Sequence, residues 1–242
     1  MTTDLLLLAV GVLALAGFVQ GLTGFGFGMT AMSLLPLVMG VSAAQSVVTL
    51  TSTAACLLMT AVTIKDVPWS SLSRLWLGTV VGVPLGFALL ESLPRTLVTR
   101  VLGLTLCSMV LFEFVVTRHT SWRWPRWLEP FVGLTSGALT GAFNVGGPPL
   151  VAYIYAQPWS KEKHVAGLTA VFLSGGLIRV ALLLNYHELP NQAWTASGWA
   201  LVPMLVAILC GNRLLRRVPQ RHLRAGVFTV LLFLGARYFF ET

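Results

Sequence analysis

Charge is what this chain has least of. Charged residues make up 10% of it, with only 8 acidic side chains, where soluble domains carry about 25%. That scarcity excludes an ordinary soluble domain. No long polar stretch interrupts the apolar runs between Leu5 and Phe240, which excludes one anchor on a soluble body. Only three cysteines are present. Cys56, Cys107 and Cys210 stand alone inside apolar segments, without metal or redox spacing. They read as core residues, and no metal or other cofactor is expected. No Lys or Arg precedes the first apolar run, which follows Asp4. Lacking the basic region of a signal peptide, that run is expected to be retained. Enzyme signatures are missing too: the chain has no H-E-x-x-H, G-x-S-x-G or Walker sequence. Gly24-Phe-Gly26-Phe-Gly28 lacks the βαβ context of a dinucleotide fingerprint. Leu173-Ser174-Gly175-Gly176 looks like an ABC-transporter signature but has no nucleotide-binding domain beside it, and is taken as chance.

What is present is apolar sequence, 56% of the chain, with a mean hydropathy of +0.81. Ten apolar segments can be read, at roughly 5–23, 28–40, 43–64, 71–91, 96–117, 128–143, 148–158, 164–185, 195–213 and 222–240. About seven have the ~17–25 residues a spanning helix needs. Segments 28–40 and 148–158 are too short, and each follows a glycine-rich break. The first break runs from Gly17 through Gln20, Gly21, Thr23, Gly24, Gly26 and Gly28 towards Pro36. The second runs from Gly133 through Gly137, Gly141, Asn144, Gly146 and Gly147 to Pro148 and Pro149. Helix breakers at membrane depth are tolerated only where irregular backbone is buried in protein or lines a cavity. Paired breaks in matching positions of two halves point to a transporter's binding site.

The halves match beyond the breaks. Gly17 and Gly21 pair with Gly133 and Gly137, Asp66 and Pro68 with Glu188 and Pro190, Trp76 with Trp199, and Gly86 and Pro94 with Gly211 and Pro219. The order is kept while the offset drifts slowly, as duplication with small loop insertions would leave it. The domain expectation is therefore a transmembrane repeat over 1–120 and a second over 121–242.

Loop charge decides the expected topology. The net charge of +8 would suggest nucleic acid in a soluble chain. Here the cations lie in short gaps between apolar runs, where they orient a protein in the bilayer, and no nucleic-acid partner is expected. If each glycine-broken unit enters and leaves on one side, Lys and Arg divide 12 to 3 between the faces; if each unit crosses once as a kinked helix, they divide 9 to 6. The first arrangement fits the positive-inside rule better. It makes five segments per half, an odd number, so the repeats are inverted and both termini periplasmic. The predicted fold is an all-α polytopic membrane protein of two inverted repeats, each a re-entrant or hairpin helix plus three spanning helices.

Small residues also recur every fourth position, as Gly78, Gly82, Gly86 and as Gly133, Gly137, Gly141. Such stripes let helix backbones approach closely in lipid, and this packing role is the preferred reading for the first stripe. The breaks call for more. A half-helix starting near the midplane aims unsatisfied N–H groups and a positive dipole end at what lies there. Pro148 suits a first helical turn, Gly146 and Gly147 leave open backbone, and Asn144 adds an amide. Gly26 and Gly28 do the same in the first half, with Thr23 and Gln20 as polar neighbours. Two such ends facing each other favour a small anion.

Arg179 is the one cation well inside an apolar segment. Such a residue usually faces the bundle interior or a water-filled cavity, and its fork of donors suits an oxyanion. The alternative is snorkelling or pairing with a carboxylate such as Glu188. Glu113 reads as a salt bridge to Arg118, or as a proton-coupling carboxylate. Gln45 and His164 begin equivalent helices and could hydrogen-bond the half-helix ends. Trp122, Trp124 and Trp127 among arginines read as an interfacial belt.

The glycines running into proline near the N-terminus, and again as Gly141-Ala-Phe-Asn144-Val-Gly146-Gly147-Pro148-Pro149, resemble the TauE/SafE family of sulfite exporters. The resemblance covers nearly the whole chain. It implies movement of sulfite or another sulfur oxyanion or organosulfonate across a bacterial inner membrane. The first copy departs from the second, since Met29 to Pro36 replaces the immediate Gly-Pro-Pro. The expected function is a secondary transporter working by alternating access, driven by protons or by the anion's own gradient. An anion channel, a carrier of a non-sulfur substrate and a non-transporting scaffold subunit are the alternatives.

Overall fold

The computed structural model describes residues 3–117, 125–186 and 191–214, and Phe233. All regular structure among them is helical. The elements are α1 (Thr3–Thr23), α2 (Phe27–Leu34), α3 (Pro36–Met39), α4 (Val41–Val62), α5 (Trp69–Glu91), α6 (Arg95–Thr117), α7 (Glu129–Phe143), α8 (Gly147–Tyr155), α9 (Lys161–Tyr186) and α10 (Asn191–Leu214). Five of them, α1, α4, α5, α9 and α10, are long and apolar enough to cross a membrane. The tenth predicted segment apart from Phe233, the side chain of Glu113, and Arg118, Trp122, Arg123, Trp124, Glu188 and Pro190 fall outside the described residues.

Apolar residues face both ways. On α5, Leu72, Leu75, Val83 and Leu90 are buried, while Leu77, Val80, Val81, Leu85 and Leu89 are exposed. A helix apolar all round suits a bundle whose outer surface meets lipid.

The helices are punctuated where glycine, asparagine and proline allow. Gly26 precedes α2 in the left-handed region at φ 94°, and Gly40 precedes α4 at φ 79°. Asn144 ends α7 at φ 58° and is the one non-glycine residue with positive φ among those described. Asparagine tolerates that conformation better than most side chains. Proline then opens α8 in its first turn, where a missing N–H leaves nothing unsatisfied.

Both glycine breaks turn the chain back on itself. The Tyr153 hydroxyl, near the end of α8, donates to Oε1 of Glu129, the first residue of α7, at 2.6 Å. Residues at opposite ends of a continuous kinked helix could not meet, so α7 and α8 form a hairpin. At ~1.5 Å per residue its arms are ~22 Å and ~13 Å long, short of the ~30 Å hydrocarbon core. In the first half, α2 and the short α3 both pack against α1. The sequence left hairpin and kink to be decided by loop charge, and the geometry agrees with the hairpin.

Packing crosses the midpoint of the chain. The closest pairs are α5 with α7 and α1 with α10, followed by α4 with α9. Glycine makes the first two possible. A Cβ at Gly78, Gly82 or Gly86 would collide with Pro130 O, Leu134 O or Ala138 O, and one at Gly133 or Gly141 with Leu75 O or Val83 O. At the other pair, a Cβ on Gly21 would strike Ile208 O and one on Gly211 would strike Phe18 O. The packing reading of the small-residue stripes holds, and it takes in Gly133, Gly137 and Gly141 as well.

Candidate functional site

The two breaks meet. Gly28, in the first turn of α2, lies so close to the carbonyl of Asn144 that no side chain fits between them. Around this contact is a cavity of about 50 Å³, room for a few waters or one small ion. Gly26, Phe27, Gly28 and Met29 line it from the start of α2, and Val145, Gly146 and Gly147 from the start of α8. Neither helix start carries a side-chain cap. First-turn N–H groups have no partner within their own helix; α2 offers those of Phe27, Gly28 and Met29, and α8 that of Gly147 alone, because Pro148 and Pro149 carry none. Gln20 of α1, Phe25 in the turn after it, Ser52 and Cys56 of α4, Thr140 and Asn144 at the end of α7, and Phe172 and Gly176 of α9 complete the wall. Gln20 is 2% exposed; its Nε2 donates to Cys56 Sγ at 3.6 Å, and its Oε1 has no partner.

Behind this wall a polar network fixes the end of α7. Arg179, 1% exposed, donates from Nη1 to the carbonyls of Thr140 (2.7 Å) and Gly141, and from Nε to Thr49 Oγ1 at 3.0 Å. Asn144 Nδ2 donates to the same Thr49 oxygen at 2.7 Å and to Gln45 O at 3.4 Å. Thr49 in turn donates its one hydrogen to Gln45 O at 2.7 Å. That hydroxyl therefore only accepts from Arg179 and Asn144, which requires the Asn144 nitrogen, not its oxygen, to face α4. Gln45 Nε2 adds a bond to Ala142 O at 3.3 Å. Three successive carbonyls at the C-terminus of α7 are thus met by donors from α4 and α9. Cationic donors suit that negative helix end.

The residues singled out from sequence now separate. Gln20, Gly26, Gly28, Asn144, Gly146 and Gly147 line the cavity. Thr23 and Gly24 shape the turn behind it: the Thr23 hydroxyl donates to Val19 O and Phe25 O, and Gly24, at φ 78°, faces Val165. Gly141 packs on α5, and Pro148 supplies the first turn of α8. Arg179 does not line the cavity itself but bonds Thr140, Gly141 and Thr49, and Gly175 and Gly176, one turn before it on α9, pack against Thr53, Thr79 and Thr140. Gln45 bonds a half-helix end, as its position suggested. His164 instead stacks on Tyr155, with ring centroids 4.9 Å apart, and its Nε2 lies 3.1 Å from Gln157 O just beyond α8.

A second, polar cavity of about 470 Å³ opens at the base of the α7–α8 hairpin, where Arg74, Arg126, Glu129 and Tyr153 are among its walls.

Comparison with known proteins identifies the family. The family model described as sulfite exporter TauE/SafE matches residues 7–238. The chain belongs to the TauE/SafE family. It is similar to the protein of Cupriavidus necator named "Probable sulfite/organosulfonate exporter TauE", with 28% identity over 257 aligned positions that cover 98% of this chain and 95% of that protein. No solved structure matches it. As a TauE/SafE protein with five apolar helices of spanning length, it is a multi-pass membrane protein of an exporter family and not an enzyme.

Sequence reasoning missed several residues of this TauE/SafE site. Thr49 joins Arg179 to Asn144, yet nothing local distinguishes it from Thr51 and Thr53 beside it. Cys56 and Phe172 read as core because their segments are apolar throughout. Thr49 and Ser52 do recur at helical spacing after Gln45, and that polar stripe could have marked the buried face of α4.

Proposed function

We propose that this protein is a secondary transporter that carries a small sulfur oxyanion across the bacterial inner membrane. The observation that carries the reading is the cavity where two uncapped helix starts converge at the tips of two hairpins. Unclaimed N–H groups on both sides can donate to an anion, Arg179 behind the wall supplies positive charge, and enclosure by α1, α4 and α9 removes competing water. Membership of the TauE/SafE family supports sulfite or an organosulfonate as the cargo. The chain carries no ATPase motif, so the gradient of the anion or of protons supplies the driving force.

The two halves, 1–120 and 121–242, act as inverted repeats in this reading. Exchanging α1 with α7, α4 with α9 and α5 with α10 maps the main packed pairs onto one another, which supports the repeat. A hairpin plus three crossings gives odd parity and places both termini in the periplasm, with Arg74 and Arg126 on the cytoplasmic face. There the polar cavity at the hairpin base forms a positively charged vestibule that attracts anions.

Alternating access follows a division that differs from the sequence halves. Glycine contacts lock α1 to α10 and α7 to α5, so each moving body combines a hairpin from one repeat with a helix from the other. The substrate lies where the bodies touch, at Gly28 and Asn144, and their relative motion opens the cavity to one side and then the other. Arg179 positions the α7 end within its body. Flux of sulfite into proteoliposomes containing the folded chain, beyond that of protein-free vesicles, tests the proposal. Absence of such flux with sulfite, organosulfonates and other small anions would overturn it.

A further inference from the structure

We infer that the species carried is singly charged and brings its own O–H, so that for sulfite it is the hydrogen-sulfite ion rather than the dianion. The inference rests on the transporter reading above and concerns the same cavity.

Charge balance is the first observation. Four helix ends meet at the cavity, the C-termini of α1 and α7 and the N-termini of α2 and α8. Each is worth roughly half an elementary charge, negative at C-termini and positive at N-termini, so the four cancel. Among the described residues, no Asp, Glu, Lys, Arg or His lines the wall, and Cys56 is its one titratable side chain. Arg179 stands behind it, bonded to the end of α7. Tyr155, on the other flank, donates its hydroxyl to Thr23 O at 3.3 Å. The site therefore compensates about one negative charge. A second would stay uncompensated in a medium of low polarity, where an unpaired charge is costly.

The second observation is independent of charge. Gln20, 98% buried on the cavity wall, has its Nε2 on Cys56 and an Oε1 with no partner. A buried acceptor left unmet costs free energy, and it repels an oxyanion that has only lone pairs to offer. An oxyanion retaining one O–H meets both conditions. That hydrogen bonds to Gln20 Oε1, while the remaining oxygens accept from the first-turn N–H groups of α2 and from that of Gly147 in α8. An organosulfonate supplies the single charge but no O–H to meet Gln20 Oε1.

The consequence is that the proton travels on the cargo, with no carboxylate or histidine needed in the site. Release into a neutral compartment splits hydrogen sulfite into sulfite and a proton. The full chain, reconstituted in liposomes with an entrapped pH dye and the membrane potential clamped, provides the test when sulfite is added outside. The expected result is protein-dependent acidification of the lumen. Its initial rate should fall about tenfold per pH unit above the anion's second dissociation, and sulfate, a dianion without O–H, should not compete. Protein-dependent uptake with alkalinisation, or with a rate independent of pH, overturns the inference while leaving the transporter reading intact. No protein-dependent uptake at any pH removes both. Gln20→Met, confirmed folded by its thermal melt, is expected to raise the KM for sulfite about tenfold; an unchanged KM would also overturn the assignment.

Discussion

Thr49→Val separates a residue that shapes the site from one that touches its ligand. Valine keeps the shape of threonine and removes one hydroxyl, which accepts from Arg179 Nε (3.0 Å) and Asn144 Nδ2 (2.7 Å) and donates to Gln45 O (2.7 Å). Thr49 is fully buried, so water cannot replace the lost partner. A hydrogen bond to a charged group is worth about 1.5–3 kcal/mol, and a buried polar group left unsatisfied costs about 1–3 kcal/mol. Coupled groups do not add simply, so the expected loss is about 3–5 kcal/mol. At ~2–4 °C per kcal/mol for a chain of this length, the apparent Tm in detergent falls by roughly 10 °C. Sulfite flux falls with it, because Asn144 and the end of α7 lose their fixed position, although Thr49 does not line the cavity. Thr51→Val is the control. Its hydroxyl donates only within its own helix, to Val47 O at 2.7 Å and Val48 O at 3.5 Å, and the substitution should cost no more than about 1 kcal/mol. A Thr49→Val protein melting with the wild type, or melting no lower than Thr51→Val, would refute the account of the network.

Three further outcomes follow from the geometry. Gly28→Ala forces a Cβ into the Asn144 carbonyl and must push the hairpin tips apart; it should cost at least ~1–3 kcal/mol and abolish sulfite flux, read by thermal melting and vesicle uptake. Tyr153→Phe leaves Glu129, 8% exposed, without its 2.6 Å partner and should lower stability by about 1.5–3 kcal/mol, measured by denaturation in detergent. In a background without native cysteines, Arg126→Cys and Ser160→Cys should react with an impermeant thiol reagent from the same side of sealed vesicles and Ser92→Cys from the other; reaction of Arg126→Cys and Ser160→Cys from opposite sides would refute the hairpin.

Local chemistry made the class of this protein legible. Membrane helices follow from run length and scarce charge, and the breaks follow from glycine and proline, whose backbone effects are the same in any surroundings. Loop charge even favoured hairpins over kinked helices, because insertion acts on short charged loops regardless of packing. Six of the eleven residues assigned to the site line the cavity, and all six lie within the breaks or one turn before them.

What the sequence could not settle depends on neighbours far along the chain. Glycine has one local signature whether it permits a turn, opens a cavity or lets two backbones touch. Only the approach of α5 assigns Gly141 to packing, and only the approach of α2 places Gly28 against Asn144. Arg179 looked like an anion ligand because a buried cation must find partners, and sequence does not say which. Its partners Gly141, Thr140 and Thr49 lie 38, 39 and 130 residues away, brought together when hairpin and helix from opposite halves interlock. The sequence by itself determined that irregular backbone enters the membrane twice, since hydropathy and helix breaking are local properties. Tertiary structure alone decided which donors remain open at the cavity, because a donor is free only when no neighbour has claimed it.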